Sequence, residues 1–339
     1  MSSTTISSGY RRILVAVDFS SHAEAALKQA VWLAQQSGAR ITLLHALPDL
    51  RRVVASASLR ARLDMVYGEG ETFQFEIRQE SDLRMKRMLM ALNATDLDVT
   101  VETLLGEPFV AVIHAVQKEG HDLVLAGTRG LAAWEQFFVG STAKRLIRKC
   151  PSSVWIVKAQ HAEPPKAVLA ATDFSDVSRR AVLEGLSIAR RAGADFHLLH
   201  VIESDVPPGL GERLPDDSWL RQAIREEAGE RLAAFAASLD TDASRVHSHL
   251  SSGTPWQEID RLAKHLNIAL IAMGTVGRSG IKGVLLGNTA EKVLGTCDCS
   301  ILTVKPADFV SPIMPPFWPL HPESEKVPSD SGQGRPDHS

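Results

Sequence analysis

Cysteine is scarce in this chain, with three among 339 residues. So few thiols argue against a disulfide scaffold and fit a reducing compartment. Cys297 and Cys299 form a lone C-x-C. With no ligand-spaced partners nearby, they read as small buried residues beside the last strand and not as a metal centre. Charge of one sign is also lacking. The formal net charge is −3, and residues 306–339 alone hold five acids and two bases, so the remainder is about neutral. That excludes the electrostatic footprint of a nucleic-acid or anionic-membrane binder, while leaving room for a small anion site. Long apolar runs are missing, so no segment reads as a transmembrane span. The opening MSSTTISSGYRR has no apolar core of a secretion signal, and a cytoplasmic protein is expected. Nucleophile-elbow, zinc-helix and kinase signatures are likewise absent.

What the chain does contain is a repeat. ILVAVDFSSHAEAALKQAVWLAQQSGARITLLHAL at 13–47 parallels VLAATDFSDVSRRAVLEGLSIARRAGADFHLLHVI at 168–202. Asp18 and Asp173, Gly38 and Gly193, and His45 and His200 are each 155 residues apart. Gly106 and Gly253, Pro108 and Pro255, Gly127 and Gly274, Gly140 and Gly287, and Cys150 and Cys297 are each 147 apart. Repeat 1 therefore carries eight extra residues between its second and third strands. Two domains are predicted, 1–160 and 161–308, followed by a tail over 309–339.

Apolar runs at 13–17, 41–46, 99–105, 122–126 and 153–157 recur at 167–171, 196–202, 246–250, 268–273 and 300–304. They lack polar alternation, as strands buried on both faces of a parallel sheet do. Helical stripes lie between them: Ala25, Ala26, Ala30, Leu33 and Ala34, then Met85, Met88, Leu89 and Leu92. Methionines 65, 85, 88 and 90 read as core filler. Alternating strands and helices predict an α/β fold of right-handed βαβ units. Eight of 17 prolines fall in 306–339; Pro312, Pro315, Pro316 and Pro319 bar regular structure there. The apolar stretch 310–320, with Ile313, Met314, Phe317 and Trp318, is a candidate to dock on the body. From Pro322 onward the composition reads as disordered.

GTRGLAAWEQFFVGST at 127–142 and GTVGRSGIKGVLLGNT at 274–289 both place glycine first, fourth and fourteenth. Each begins where the fourth strand ends, at the edge where open α/β sheets bind ligands. Each ends at a helix start, a natural phosphate seat. Plain N-capping by Ser141 or Asn288 is the alternative, and Asn288 with Glu291 resembles a capping box. Asp18 and Asp173 close the first strands at the same edge. They suit either a ribose or adenine contact or an Asx-turn. His45 and His200 read either as a general base or as structural histidines near the sheet edge. His114, His121, His247, His249 and His265 show no paired metal spacing on a helix; His247 and His249 share a strand face, a weak metal pattern.

VDFS and TDFS, LLHA and LLHV, GEP and GTP, and G-x2-G-x9-G-[ST] together resemble the universal stress protein family in its tandem form, over nearly all of 11–305. The resemblance implies two tandem Rossmann-like domains of the adenine nucleotide alpha hydrolase-like type. Each would hold a five-stranded parallel sheet of order 3-2-1-4-5 with helices on both faces. It implies an ATP-binding regulatory protein of the stress response, with Mg or Mn as accompanying ion, or else a slow ATPase or a nucleotide-free interaction module. Adenine and ribose would meet Val17, Asp18 and Ala46, and in the second repeat Thr172, Asp173 and Val201. Phosphates would meet Gly127, Arg129, Gly130, Gly140, Ser141 and Thr142, and in the second repeat Gly274, Val276, Gly277, Gly287, Asn288 and Thr289. It also implies that strands 153–157 and 300–304 pair as an intrachain pseudo-dimer, with a homodimer left open.

Two departures stand out. Position 288 is asparagine where serine or threonine is usual, and repeat 1 has a loop with Trp134, Phe137 and Phe138 that either covers the site or anchors to the body. No Walker lysine or magnesium acid is recognisable, which disfavours efficient hydrolysis. Arg129, Lys144 and Arg145 face Val276 and Glu291 at matching places, so site 1 is expected to hold phosphate more strongly.

Overall fold

The computed structural model describes residues 9–47, 71–94, 96–128, 139–203, 219–239, 245–277 and 286–315. In repeat 1 the order is β1 (Arg12–Val17), α1 (Ser21–Ser37), β2 (Arg40–Leu47), α2 (Glu71–Ala91), β3 (Val99–Leu105), α3 (Pro108–Glu119), β4 (Leu123–Gly127), α4 (Ser141–Lys149) and β5 (Ser153–Val157). A single 3-10 turn, Ala159–His161, leads into repeat 2. There the order is β6 (Ala167–Thr172), α5 (Asp176–Ala192), β7 (Asp195–Ile202), α6 (Trp219–Ala237), β8 (Val246–Ser252), α7 (Pro255–His265), β9 (Leu270–Gly274), α8 (Asn288–Thr296) and β10 (Ser300–Val304).

The strands form one sheet of order β3-β2-β1-β4-β5-β10-β9-β6-β7-β8. Each half is parallel with the 3-2-1-4-5 order that the resemblance implied. The halves meet where β5 pairs antiparallel with β10, and Trp155 lies opposite Leu302 at the centre of that seam. These two occupy equivalent places in their repeats, 147 residues apart. A local two-fold relation between the repeats passes through this pair.

Local signals explain the helix ends. Ser20 and Ser175 cap α1 and α5 by accepting from Ala23 N and Ser178 N, and left-handed Gly38 and Gly193 stop the same helices. Pro108 and Pro255 open α3 and α7 at the position where a missing amide costs least. One sheet face packs against α1, α2, α5 and α6 and the other against α3, α4, α7 and α8. Every residue of β5 and of β10 is consequently buried, which is why neither strand alternates.

The α1 stripe is wholly buried, as are Met85 and Leu89, while Met88 and Leu92 pack partly buried against the same core. Met90 departs from the core-filler expectation: it is 64% exposed, on the solvent face of α2. Met65 lies outside the described residues. In the tail, Ile313 packs onto the body, and its carbonyl accepts from Gln117 on α3 (2.9 Å). His114 bonds the Met314 carbonyl (2.9 Å), while the Val310 and Met314 side chains stay exposed. Phe317 and Trp318 lie outside the described residues. Cys150, Cys297 and Cys299 are buried free thiols.

Candidate functional site

Each repeat leaves its first strand through the same turn. Asp18 Oδ1 accepts from Ser20 N (3.0 Å) and Ser20 Oγ (2.6 Å), and Asp173 Oδ1 accepts from Ser175 N (3.0 Å) and Ser175 Oγ (2.6 Å). Both are Asx-turns, so this carboxyl oxygen organises the strand-to-helix corner. Between the aspartate and the serine, Phe19 and Phe174 are both left-handed, with φ of 63°. A bulky residue in that region carries roughly 1–3 kcal/mol of strain. Tilted ring contacts and a guanidinium hold each ring there. Phe19 lies 4.6 Å from the His45 ring with the Arg84 guanidinium 4.2 Å from its own centroid. Phe174 repeats the arrangement with His200 (4.3 Å) and Arg231 (4.7 Å). His45 Nδ1 bonds the Val17 carbonyl at 2.6 Å, and His200 Nδ1 the Thr172 carbonyl at 2.8 Å. Of the two roles weighed for these histidines, the structural one is what the geometry displays: they pin the end of the first strand to the second.

Val17 and Thr172 thus sit beside His45 and His200, and Ala46 and Val201 follow at the carboxyl ends of β2 and β7. Thr172 is buried, and its hydroxyl accepts from Phe174 N (3.0 Å), a bond that Val17 cannot make.

Gly127 and Gly274 end β4 and β9, but their lack of a side chain has a packing cause. A Cβ on Gly127 would fall 2.7 Å from His22 Cβ and 2.8 Å from the His22 carbonyl carbon. One on Gly274 would fall 2.9 Å from Val177 Cγ1. The strand end presses against the start of α1 or α5, and that contact, before any ligand, demands glycine. Gly127→Ala is expected to lower stability by about 1–3 kcal/mol, because backbone must move to admit the methyl. Urea unfolding followed by circular dichroism measures this, and an unchanged midpoint would contradict the packing account. Gly277 meets the site directly: its Cβ would lie 2.9 Å from Asp173 Oδ2. The glycine turn and the acid of the first strand therefore face each other in repeat 2. Val276 beside it is half-buried.

The chain returns from each loop to the residue after the fourth strand. Gly140 N donates to Thr128 O (2.6 Å) and Gly287 N to Thr275 O (2.7 Å). Gly140 and Gly287 are themselves the N-caps of α4 and α8, without a side-chain cap bond. This corrects the capping alternative: Ser141 and Asn288 occupy the first helical position, followed by Thr142 and Thr289. The first intrahelical amide bonds are those of Lys144 to Gly140 O and Glu291 to Gly287 O. The amides of 141–143 and 288–290 precede them and point out of the helix starts. Charge is shared across the seam, since Arg148 of α4 pairs with Glu291 of α8 at 2.6 Å. Arg145 pairs with Glu107 at 3.3 Å and lies over the Phe109 ring. Arg129, Gly130 and the aromatic loop residues Trp134, Phe137 and Phe138 lie outside the described residues.

A model of the universal stress protein family matches the chain twice, over residues 9–158 and 165–305. The chain belongs to the universal stress protein family. It is 30% identical over 330 residues to universal stress protein E of Escherichia coli K12, covering 90% of this chain and 96% of that protein. The corresponding protein of Photorhabdus laumondii is 26% identical over 317 residues, covering 90% and 98%. Among solved structures, a universal stress protein from Archaeoglobus fulgidus superposes with a TM-score of 0.59 at 18% identity, covering 90% of this chain and 99% of that one. A crystal structure from Pseudomonas aeruginosa UCBPP-PA14 gives 0.63 at 21%, covering 88% and 94%. These two share the fold of this universal stress protein. Among the described residues, no helix is long and apolar enough to cross a membrane.

Proposed function

We propose that this universal stress protein is an adenine-nucleotide-binding regulator of the stress response, with one ATP site at the carboxyl edge of each half-sheet. The observation that carries the reading is the approach of Gly277 to Asp173 beside the outward amides of α8. A helix start whose first amides have no partner among the described residues, with its partial positive charge, suits phosphate. An acid that faces the glycine turn, with one oxygen held by the Asx-turn, suits a ribose hydroxyl. The residues offer little to a metal ion. Glu291, the acid in the first turn of α8, is paired with Arg148. A Mg or Mn ion would be carried chiefly by the nucleotide phosphates. The β5–β10 pairing supports reading the two repeats as an intrachain pseudo-dimer.

Isothermal titration with ATP, on wild type and on Ser141→Trp and Asn288→Trp, tests this. Wild type is expected to take up two equivalents and each variant one. Site 1 should be the tighter site. Its helix start carries Lys144 and Arg145, the latter paired with Glu107, and cations at that end of a helix, unfavourable to its dipole by roughly 0.3–1 kcal/mol each, favour a bound anion. Loss of the tighter phase in Asn288→Trp instead would reverse the ranking, and absence of binding to wild type would refute the site altogether.

A further inference from the structure

On the other end of the sheet, near the amino end of β7, three histidines meet. His197 lies opposite His247 across β7 and β8, and His249 follows two residues on, on the same face. His197 Nδ1 is 3.0 Å from His249 Nε2. The His197 ring centroid is 5.0 Å from that of His247 and 5.2 Å from that of His249. The fold does not demand these rings. The equivalent places in repeat 1 hold Thr42, Thr100 and Glu102, and the same strand pair forms there in the same register. Arg40, at the entrance of β2, is replaced by Asp195 in repeat 2, so a cation gives way to an acid beside the cluster.

We infer that His197, His247 and His249 bind a divalent transition metal of the zinc class, on the free edge of the sheet and away from both nucleotide edges. Two imidazoles two residues apart on one strand and a third on the neighbouring strand suit three corners of a tetrahedron. Metal–nitrogen bonds of about 2.0–2.1 Å require ligand nitrogens slightly more than 3 Å apart, the scale of the His197–His249 spacing. Imidazole nitrogen favours Zn, Cu, Ni or Co over Mg or Ca. The bond between His197 Nδ1 and His249 Nε2 holds one ring proton, which moves to the other nitrogen of that ring when metal takes its place. Asp195, at the entrance of β7, adds a negative field on His197 that attracts a cation. As placed, the rings bond and stack with one another, and among the described residues no group of three His, Cys, Asp or Glu side chains is arranged to hold a metal ion. His247 is exposed on its edge strand, and the proposed site requires its side chain to turn out of the stack with His197. The fourth position falls to water.

Cobalt(II) serves as the probe. The full chain, stripped by chelator and held reduced, is titrated with Co(II) and followed by visible absorption, then challenged with Zn(II). One equivalent with tetrahedral ligand-field bands, displaced by Zn(II), is expected. His247→Thr, which inserts the residue that repeat 1 carries, should leave the circular dichroism spectrum unchanged and weaken binding by at least about tenfold, the scale at which even outer-shell partners act. Adding His249→Ala should abolish it. The assignment is overturned if wild type binds no cobalt, if His247→Thr binds as wild type does, or if a thiolate-to-cobalt band reveals Cys297 and Cys299 as the ligands.

Discussion

Raising the pH above 9 is expected to unfold this protein through its three cysteines. Burial pushes the Cys150 thiol up to about 11 and those of Cys297 and Cys299 to about 12, from an ordinary value of 9.0. In the unfolded chain they ionise near 9, so between 9 and 12 the folded state holds protons that the unfolded state has released. Their stabilisation is complete below pH 9 and is lost as pH rises through the folded values. At about 1.4 kcal/mol per unit, the combined loss approaches roughly 10 kcal/mol, comparable with the whole stability of a domain. Lys305 opposes this. Burial pushes its ammonium down to about 8 from 10.5. Its folded value lies below its unfolded one, so the stability linked to it is full above 10.5 and lost as pH falls through 8. That gain on the alkaline side is at most about 3 kcal/mol, and stability should peak near pH 9. Urea midpoints at half-unit steps from pH 7 to 11, under reductant, measure the curve. Cys297→Ala with Cys299→Ala should flatten the alkaline fall; a fall of unchanged depth would remove the thiols as its cause.

Trp155→Ala carries the second large effect. Trp155 is 1% exposed and lies between Leu125 of β4 and Leu302 of β10, at the point about which the repeats are related. Truncating a buried tryptophan costs about 3–5 kcal/mol in lost transfer energy and cavity. The indole nitrogen is buried without a hydrogen-bond partner among the described residues, so its removal recovers part of that cost, and the lower end of the range is expected. Trp155→Phe, which removes the orphan donor but keeps an aromatic ring, should cost much less. Equal losses in the two variants would show that the ring's volume is not what holds the seam.

The repeat made the architecture legible. Both copies share spacings, so the ten strands could be placed nearly to the residue; β4 and β9 differ mainly in beginning one and two residues later, at Leu123 and Leu270. The site was less legible. Ser141 and Asn288 have the chemistry of caps, yet the short bonds from Gly140 and Gly287 back to Thr128 and Thr275 set the helix start one residue earlier. That bond is tertiary and leaves no local signal. The same holds for Gly127, whose need for a bare Cα comes from His22, more than a hundred residues away. The left-handed Phe19 and Phe174 oppose their own preference, and the tertiary contacts of each ring with a histidine and an arginine oppose that preference in turn. The histidine cluster was visible in part: His247 and His249 announce a shared strand face, but His197 joins them only through the β7–β8 register.

The antiparallel join between β5 and β10 also sets an order of events during synthesis. Ser153 and Ser300, which open these strands, are 147 residues apart. At about 5–20 residues per second, a ribosome needs roughly 7–30 s to make the chain between them. For that interval a finished first repeat presents SVWIV as a bare, apolar edge strand, the kind of edge that recruits other strands. The nascent second repeat is tethered nearby and wins by proximity, but two first repeats on neighbouring ribosomes can pair through the same edge. Slowing translation between β5 and β10 should therefore raise the yield of cross-paired chains, and speeding it should lower that yield.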